Sequence, residues 1–556
     1  MKNFSNDLNQ NKKDFKFYKI RNQKNFNSSF LHLKNKVFID LTLNLNKHLK
    51  IKLNKLCWKI LLEPWLTIYI SKNLYYWNLI NFNKSKKKFI FYRDLEKLEP
   101  PFDTIHFLEL SKRDDAYNNY MIQKIKNFIF YSRKKQIAFA KLKINVYKKF
   151  NFQNYFNEKK SVIKILYHKI LAPVLNNNKI IFDLSNIGFK KLKLNFNFYQ
   201  LPCWIEYMYN FKVYDKLFKE RSNTNEQLRD SFKKKYKKKT FFNFLISNIY
   251  DDLPKVFLED FKKISESIKN IKLKPKIVVS DNKEFDLFFK FWVSLNKSEK
   301  IKFIRSDHGG SYMSNLDDMT HEEYSNFSLR WFKYRAKNSI QLPILQNLKK
   351  RIRPEQRTKA LIISHGVDKY PHHVLWSPIG KENFFQSKLI YDFTKQIYPE
   401  IKKNLYLKTY PDKFASKEWS CYKDFKKIIL QDKIITGKEI FEEIFLISKI
   451  NICLYPQTAF IESMLSGPTI LIINSNFYRI RPEFEDIHNK LKKAKILFNS
   501  GSDACHHINK VWNRIDEWWE DDKVKKIRKK FEKLASKKIS DKETTTEWIR
   551  FFKKIY

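Results

Sequence analysis

Two short segments place proton-transfer and anion-binding residue types side by side. The first is Asp307-His308-Gly309-Gly310-Ser311-Tyr312. A His in such a loop can serve as general base, general acid or phosphate donor. Asp307 could hold the ring in one tautomer, but neighbours on an extended segment point apart, so a different carboxylate is the alternative orienter. The paired Gly309 and Gly310 let backbone amides come close to a ligand, and amides suit an anion. The plain alternative is a tight turn with the imidazole bonded to the backbone. The second segment is Tyr455-Pro456-Gln457-Thr458-Ala459-Phe460-Ile461-Glu462, closed by Gly467-Pro468. Gln457 and Thr458 stand between an expected strand and an expected helix, whose N-terminus offers amides and a positive dipole end to phosphate. Glu462, one turn further on, can accept a hydrogen bond from a ribose or sugar hydroxyl. An ordinary crossover with a capping Thr is the alternative. A third group is cationic: Lys408 at an expected strand end, with Arg479 and Arg481 after another. They can clamp a diphosphate or a sugar-acid carboxylate, or serve equally in surface ion pairs.

Other chemistries find little support. His365, His372, His373, His506 and His507 have no carboxylate or Cys at ligand spacing, so no metal is expected. There is no P-loop, no H-E-x-x-H and no G-x-S-x-G, and no cofactor is expected.

The elements that must position these residues alternate. Lys276–Ser280, an amphipathic 282–296 and Ile301–Arg305 read as strand, helix, strand, with the second strand running into Asp307. After a basic linker at 348–359 the alternation restarts. Strands are expected at Ala360–Ser364, Leu405–Lys408, Ile450–Leu454 and Thr469–Ile473. Helices are expected over 381–399, 438–448, 456–465 and 503–537. In open α/β sheets ligands bind beyond the carboxyl ends of strands, where all three groups sit. Earlier, residues 1–35 read as a loose polar tail. Val37 to about Trp77 reads as one or two core helices, 114–149 as helical and 220–240 as a charged, solvated Lys-rich insertion. The expected organisation is an N-terminal α/β unit over 36–340 with helical additions, then a C-terminal Rossmann-like unit over 341–540.

The chain has 556 residues, 43% apolar and 16% aromatic, which supplies core for two domains and excludes global disorder. Lys plus Arg number 110 against 58 Asp plus Glu, a net charge of +52. Taken alone, that favours nucleic acid or an anionic membrane. Only 8 residues are Gly, while Lys, Asn, Ile and Phe abound, so coding bias accounts for much of the charge. The aromatics fall on apolar helical faces rather than among Arg, so no nucleic-acid partner is expected. The 5 Cys are scattered and never form C-x-x-C, as in a reducing compartment. The N-terminus has no apolar signal region, and Ile60–Ser71 is broken by Glu63 and Pro64. A cytoplasmic location follows, with peripheral contact on an anionic inner membrane compatible with the charge.

The order of several motifs resembles a family of transferases encoded in bacterial surface-carbohydrate (O-antigen-type) biosynthesis clusters. The motifs are Leu45-Asn46-Lys47-His48; Cys57-Trp58 through Trp65-Leu66; Asp115-Ala116-Tyr117-Asn118; and His308-Gly309-Gly310 with Tyr312, Glu323, Ser325, Phe327 and Trp331. Thr458, Glu462, Gly467-Pro468, Arg479-Ile480-Arg481 and Trp518-Trp519 complete the set, so the resemblance spans roughly residues 37–535. Asp307, Met313 and Lys408 depart from it, standing where Gln, Gly and Arg are usual. The resemblance implies a GT-B-like pair of Rossmann-like domains facing a cleft, behind a helical N-terminal region. It implies a nucleotide-sugar donor in the C-terminal domain and a glycan or lipid-linked glycan acceptor at the N-terminal one. The alternatives are a nucleotide-sugar epimerase or polyol-phosphate transferase on the same domain pair, and a basic RNA- or membrane-binding protein.

Overall fold

A computed structural model describes residues 19–20, 23–82, 90–92, 98–130, 138–140, 162–205, 216–234, 236–269, 271–281, 283, 285–296, 301–311, 322–364, 370–371, 374, 378–379, 382–409, 429–435, 438–478, 480–536 and 541–556. Short apolar runs separated by helices pair in parallel, because each connecting helix returns the chain to the same sheet edge. A small parallel ribbon, β1 (Ile90–Tyr92) with β2 (Ala138–Ala140), precedes two larger sheets. The first is β3 (Ile180–Asp183), β4 (Ile277–Ser280), β5 (Lys302–Ser306), β6 (Phe327–Arg330) and β7 (Ser339–Gln341), in sequential order and wholly parallel. The second comprises β8 (Lys359–Ile363), β9 (Leu405–Lys408), β10 (Ile434–Ile435), β11 (Ser448–Cys453), β12 (Thr469–Ile472) and β13 (Leu497–Phe498). Its order is β10-β9-β8-β11-β12-β13, again all parallel. Strand order therefore reverses between β8 and β11, which opens a crevice at their carboxyl ends. The α/β class and the two-sheet architecture are as the sequence implies.

The N-terminal region is helical. Helix α1 is Phe26–Leu49 and α2 is Lys55–Phe82. Trp58, Leu61, Trp65, Leu66 and Tyr69 of α2 are all buried; a helix apolar on every side belongs inside a core. It runs unbroken through Pro64, and the Glu63 carboxylate receives Lys34 Nζ at 2.5 Å, both side chains buried. Residues 26–35 are thus no loose tail: Phe26, Phe30 and Lys34 share a buried face of α1. The basic stretch at 220–240 is likewise anchored. Arg229 is fully buried and grips the Glu259 carboxylate with Nε at 2.7 Å and Nη2 at 2.6 Å, while Lys234 pairs with Asp40 of α1.

Several contacts tie the halves together. Trp331, Phe332 and Tyr334, just past β6, share an apolar cluster with Phe460, Ile461, Phe484 and Phe531 of the second half. Val374 and Ile379 join the N-terminal core, and Tyr370 Oη donates to Asp115 Oδ1 at 2.7 Å. The last helix, Asp541–Ile555, crosses back to pack Trp548, Ile549 and Phe552 against Ile180, Phe182, Ile277 and Leu329 of the first sheet. Residues beyond 540 therefore complete the first unit's core.

Candidate active site

Three neighbouring strands of the first sheet end in polar residues. Past β3 comes Ser185, past β4 Asp281, and past β5 Asp307 and His308. Ser185 donates its hydroxyl to Asp281 Oδ2 at 2.6 Å and its backbone N–H to the same oxygen at 2.9 Å. Its hydroxyl proton is thereby committed, so at 3.0 Å from His308 Nδ1 the Ser185 oxygen accepts from Nδ1–H. In the neutral ring this contact selects the Nδ1–H tautomer. Asp281 is 1% exposed and lies 3.7 Å from Nδ1, whereas the His308 side chain is 56% exposed. Burial alone would raise the Asp281 carboxyl, but the nearby His308 ring and the two hydrogen bonds from Ser185 outweigh it and hold the group below the ordinary carboxylate range. The arrangement is a solvent-facing base backed by a buried anion.

Asp307 does not orient that ring. Its carboxylate accepts from Arg330 Nη1 at 2.8 Å and from the Trp331 amide at 2.9 Å, on the far side of the extended segment. Asp281 takes the orienting place, reached through Ser185. Neither residue follows from a local motif; the available signal is that each stands directly beyond an apolar strand.

The glycines are where the two halves touch. A Cβ at Gly309 would lie 1.8 Å from Thr458 Oγ1, and one at Gly310 would lie 2.5 Å from Ile461 Cδ1 and 2.7 Å from the Trp331 ring. The missing side chains admit the second unit's own side chains, so the backbone of the His308 loop rests on the start of helix α3 (Thr458–Ser466). Gln457 is the N-cap residue of α3 and makes no side-chain cap bond. This helix follows β11, so its first turn stands at the crevice where strand order reverses.

The cations fall into two groups. Lys408 at the end of β9 and Lys349 both lie over the Phe441 ring, at 5.6 Å and 5.5 Å, and Lys349 Nζ pairs with Glu462 Oε2 at 3.1 Å. Glu462 therefore has one carboxylate oxygen engaged by a protein cation, not held open for a hydroxyl. Burial pulls the Lys408 ammonium below the usual lysine value. Arg481 is 8% exposed, and its guanidinium stacks over Tyr334 at 4.2 Å. Glu322 and Glu483 stand 3.9 and 4.0 Å from its Nη1, while Nε and Nη2 are buried without a hydrogen-bond partner. Such donors are costly to leave unmet. Tyr334 Oη in turn donates to the Ser311 carbonyl at 2.5 Å, which links Arg481 to the His308 loop. Arg479, Tyr312, His365, His372 and His373 lie outside the described residues. His507 packs its ring on Trp518 at 4.8 Å and on Phe498 at 5.5 Å.

Among solved structures, the crystal structure of Acinetobacter baumannii MurG aligns with 67% of this chain and 98% of its own, at 9% identity and a TM-score of 0.31. So loose a likeness adds nothing to the fold described above. No curated protein sequence matches the chain. The family model described as LIC12162 family transferase matches residues 3–552. That match takes in both sheets and every group of polar residues just described, and the chain therefore belongs to the LIC12162 family of transferases.

Proposed function

We propose that the protein is a glycosyltransferase that moves a sugar from a nucleotide-activated donor to a surface-glycan precursor, without a required metal. One observation carries the reading. A backed imidazole at the edge of one parallel sheet meets, through Gly309 and Thr458, a helix N-terminus at the switch point of a second sheet. The first edge suits an acceptor hydroxyl, and the second suits a diphosphate. In the proposed step the acceptor oxygen attacks the anomeric carbon as its proton passes to His308 Nε2. The bond from that carbon to the donor phosphate oxygen breaks, and the nucleotide diphosphate leaves with the electron pair. The imidazolium that forms is stabilised through Ser185 by buried Asp281. Charge on the leaving group is offset by the amides of α3, Lys408 and the unmet donors of Arg481.

A thermal-shift screen tests the reading. Nucleoside diphosphates should raise the unfolding midpoint by mass action, and Arg481→Gln should weaken that stabilisation. Stabilisation by RNA with a steep salt dependence, and none by nucleotides, would reject it.

A further inference from the structure

A surface that includes none of the polar groups above carries apolar residues that a water-facing helix does not normally show. Val162–Ile170 and Ala172–Leu175 form nearly one helix, since Leu171 and Leu175 continue the backbone bonding to Tyr167 and Leu171. Ile163, Leu166, Ile170 and Val174 are 79%, 51%, 73% and 50% exposed. Their spacing of three, four and four places them along one ridge. The opposite side of the helix is satisfied: His168 and Leu175 are buried, and Tyr167 Oη donates to the Pro202 carbonyl at 3.0 Å. The ridge is therefore a second apolar face, with no described segment over it.

The charge around the ridge says what would cover it. Between Val162 and Gln200 there are six lysines and a single acid, Asp183, which is buried. Lys169, Lys179 and Lys193 are exposed. Lys164 and Lys191, each near the start of its helix, both lie over the Trp204 ring, at 4.8 and 4.6 Å. That shared contact brings the starts of the two helices to one ring, and Phe189, just before the second of them, is 87% exposed. An apolar helix face flanked by lysines, with no exposed acid among the described residues of this stretch, matches the boundary of an anionic bilayer, where the apolar side chains enter and the ammonium groups meet lipid phosphates. No described helix is long and apolar enough to cross a membrane, so the contact would be peripheral.

We propose that the ridge of Ile163, Leu166, Ile170 and Val174 docks the protein on an anionic phospholipid surface. The proposal stands apart from the proposed reaction.

The test is sedimentation of the full chain with vesicles of phosphatidylglycerol and phosphatidylethanolamine, and with phosphatidylcholine alone. The anionic vesicles should bind the protein. Binding should fall at least about tenfold in Leu166→Ser/Ile170→Ser, because each exposed side chain contributes apolar area to insertion. The loss should persist in about 0.5 M salt, where the Debye length is only a few Å and attraction by the overall charge is screened. Because both side chains are exposed, the variant should unfold at an unchanged temperature. Equal binding by the variant would overturn the proposal, as overall charge would then suffice. Absence of binding by the native chain would overturn it as well. So would a ridge variant that changes only the oligomeric state, which would make the ridge a contact between copies.

Discussion

The two sheet edges that meet at Gly309 use opposite chemistries. The first edge holds titratable side chains in a chain of bonds: Asp281 to Ser185 to His308, with Asp307 turned away to Arg330. The second offers the first turn of a helix and cations that are partly or wholly buried, Lys408 and Arg481. In the proposed reaction the first edge would supply a base, which needs one tautomer and one orientation. The second would supply counter-charge to a departing diphosphate, which needs no precise proton. The apolar cluster that joins Trp331, Phe332 and Tyr334 to Phe460 and Phe531 holds the two in register.

Removing the base breaks this comparison most severely. His308→Ala should lower kcat by about 10²- to 10⁴-fold while donor affinity stays nearly intact, because the proposed reaction puts the donor at the other edge. Steady-state kinetics with a separate nucleotide-binding measurement check this, and loss of donor binding with kcat retained would make His308 a phosphate ligand. Asp281→Asn should cost less. Its distinguishing mark is the pH profile: without the buried counter-charge the protonated ring is disfavoured, so the acid limb of the rate profile should move to lower pH. A merely structural Asp281 would change stability and leave that limb in place.

The seam comes next. Gly309→Ala forces a methyl against Thr458 Oγ1, and a β-branched side chain has few rotamers to escape into. Activity and unfolding temperature should both fall. In a Thr458→Ala background the obstructing oxygen is gone, so the same Gly309 substitution should cost less, with a coupling of about 0.5 to 3 kcal/mol. Strict additivity in the unfolding data would show that the seam is looser than drawn. Glu462→Gln should have a smaller effect. It removes the partner of Lys349, so its cost should vanish in a Lys349→Met background if the carboxylate serves the protein alone. A residual loss of nucleotide affinity there would show that it also serves the ligand.

Much of the second sheet was legible because its strands are apolar runs buried on both faces, spaced by helices and set off by Gly-Pro at 467–468. The strand running into His308 was legible for the same reason. The first sheet was harder to read. β3 is four residues long and is followed by helical chain before β4, while β6 and β7 are short and carry polar residues. The final helix belongs to the first sheet's core, a contact that only tertiary packing reveals. The same holds for the site. His308 and Thr458 stood out by local sequence, whereas Ser185 lies 96 positions from Asp281 and 123 from His308. No spacing rule reaches that far. Asp307 was the nearest carboxylate in sequence, and the alternation of an extended chain turns it the other way.

The smallest expected effect concerns acid and separates the two regions by stability. Burial pulls three histidines below their ordinary value of 6.5: His106 to about 3, and His488 and His507 each to about 4. Nearby cations reinforce this, Arg221 for His106, Lys492 for His488 and Lys495 for His507. An unfolded chain protonates these rings near pH 6.5, while the folded chain keeps them neutral until well below that. Between those limits the unfolded state binds more protons, so stability must fall as pH drops from about 6.5 toward about 4. The depressed Asp281 carboxyl acts later, since its contribution is lost only as pH falls through a value below the ordinary carboxylate range. Two of the three histidines lie in helices of the second half, Glu485–Lys493 and Gly501–Val511, and His106 lies in the N-terminal Thr104–Arg113 helix. Mild acid should therefore open the cation-bearing half first. Limited proteolysis at pH 5 should cut within 485–511 before the helical N-terminal core. His507→Phe keeps the aromatic packing on Trp518 and Phe498 and removes one titrating ring, so it should flatten the fall of unfolding temperature with pH. A variant with the native slope would show that His507 does not couple folding to pH, and earlier cleavage around His106 would place the acid-sensitive region in the other half.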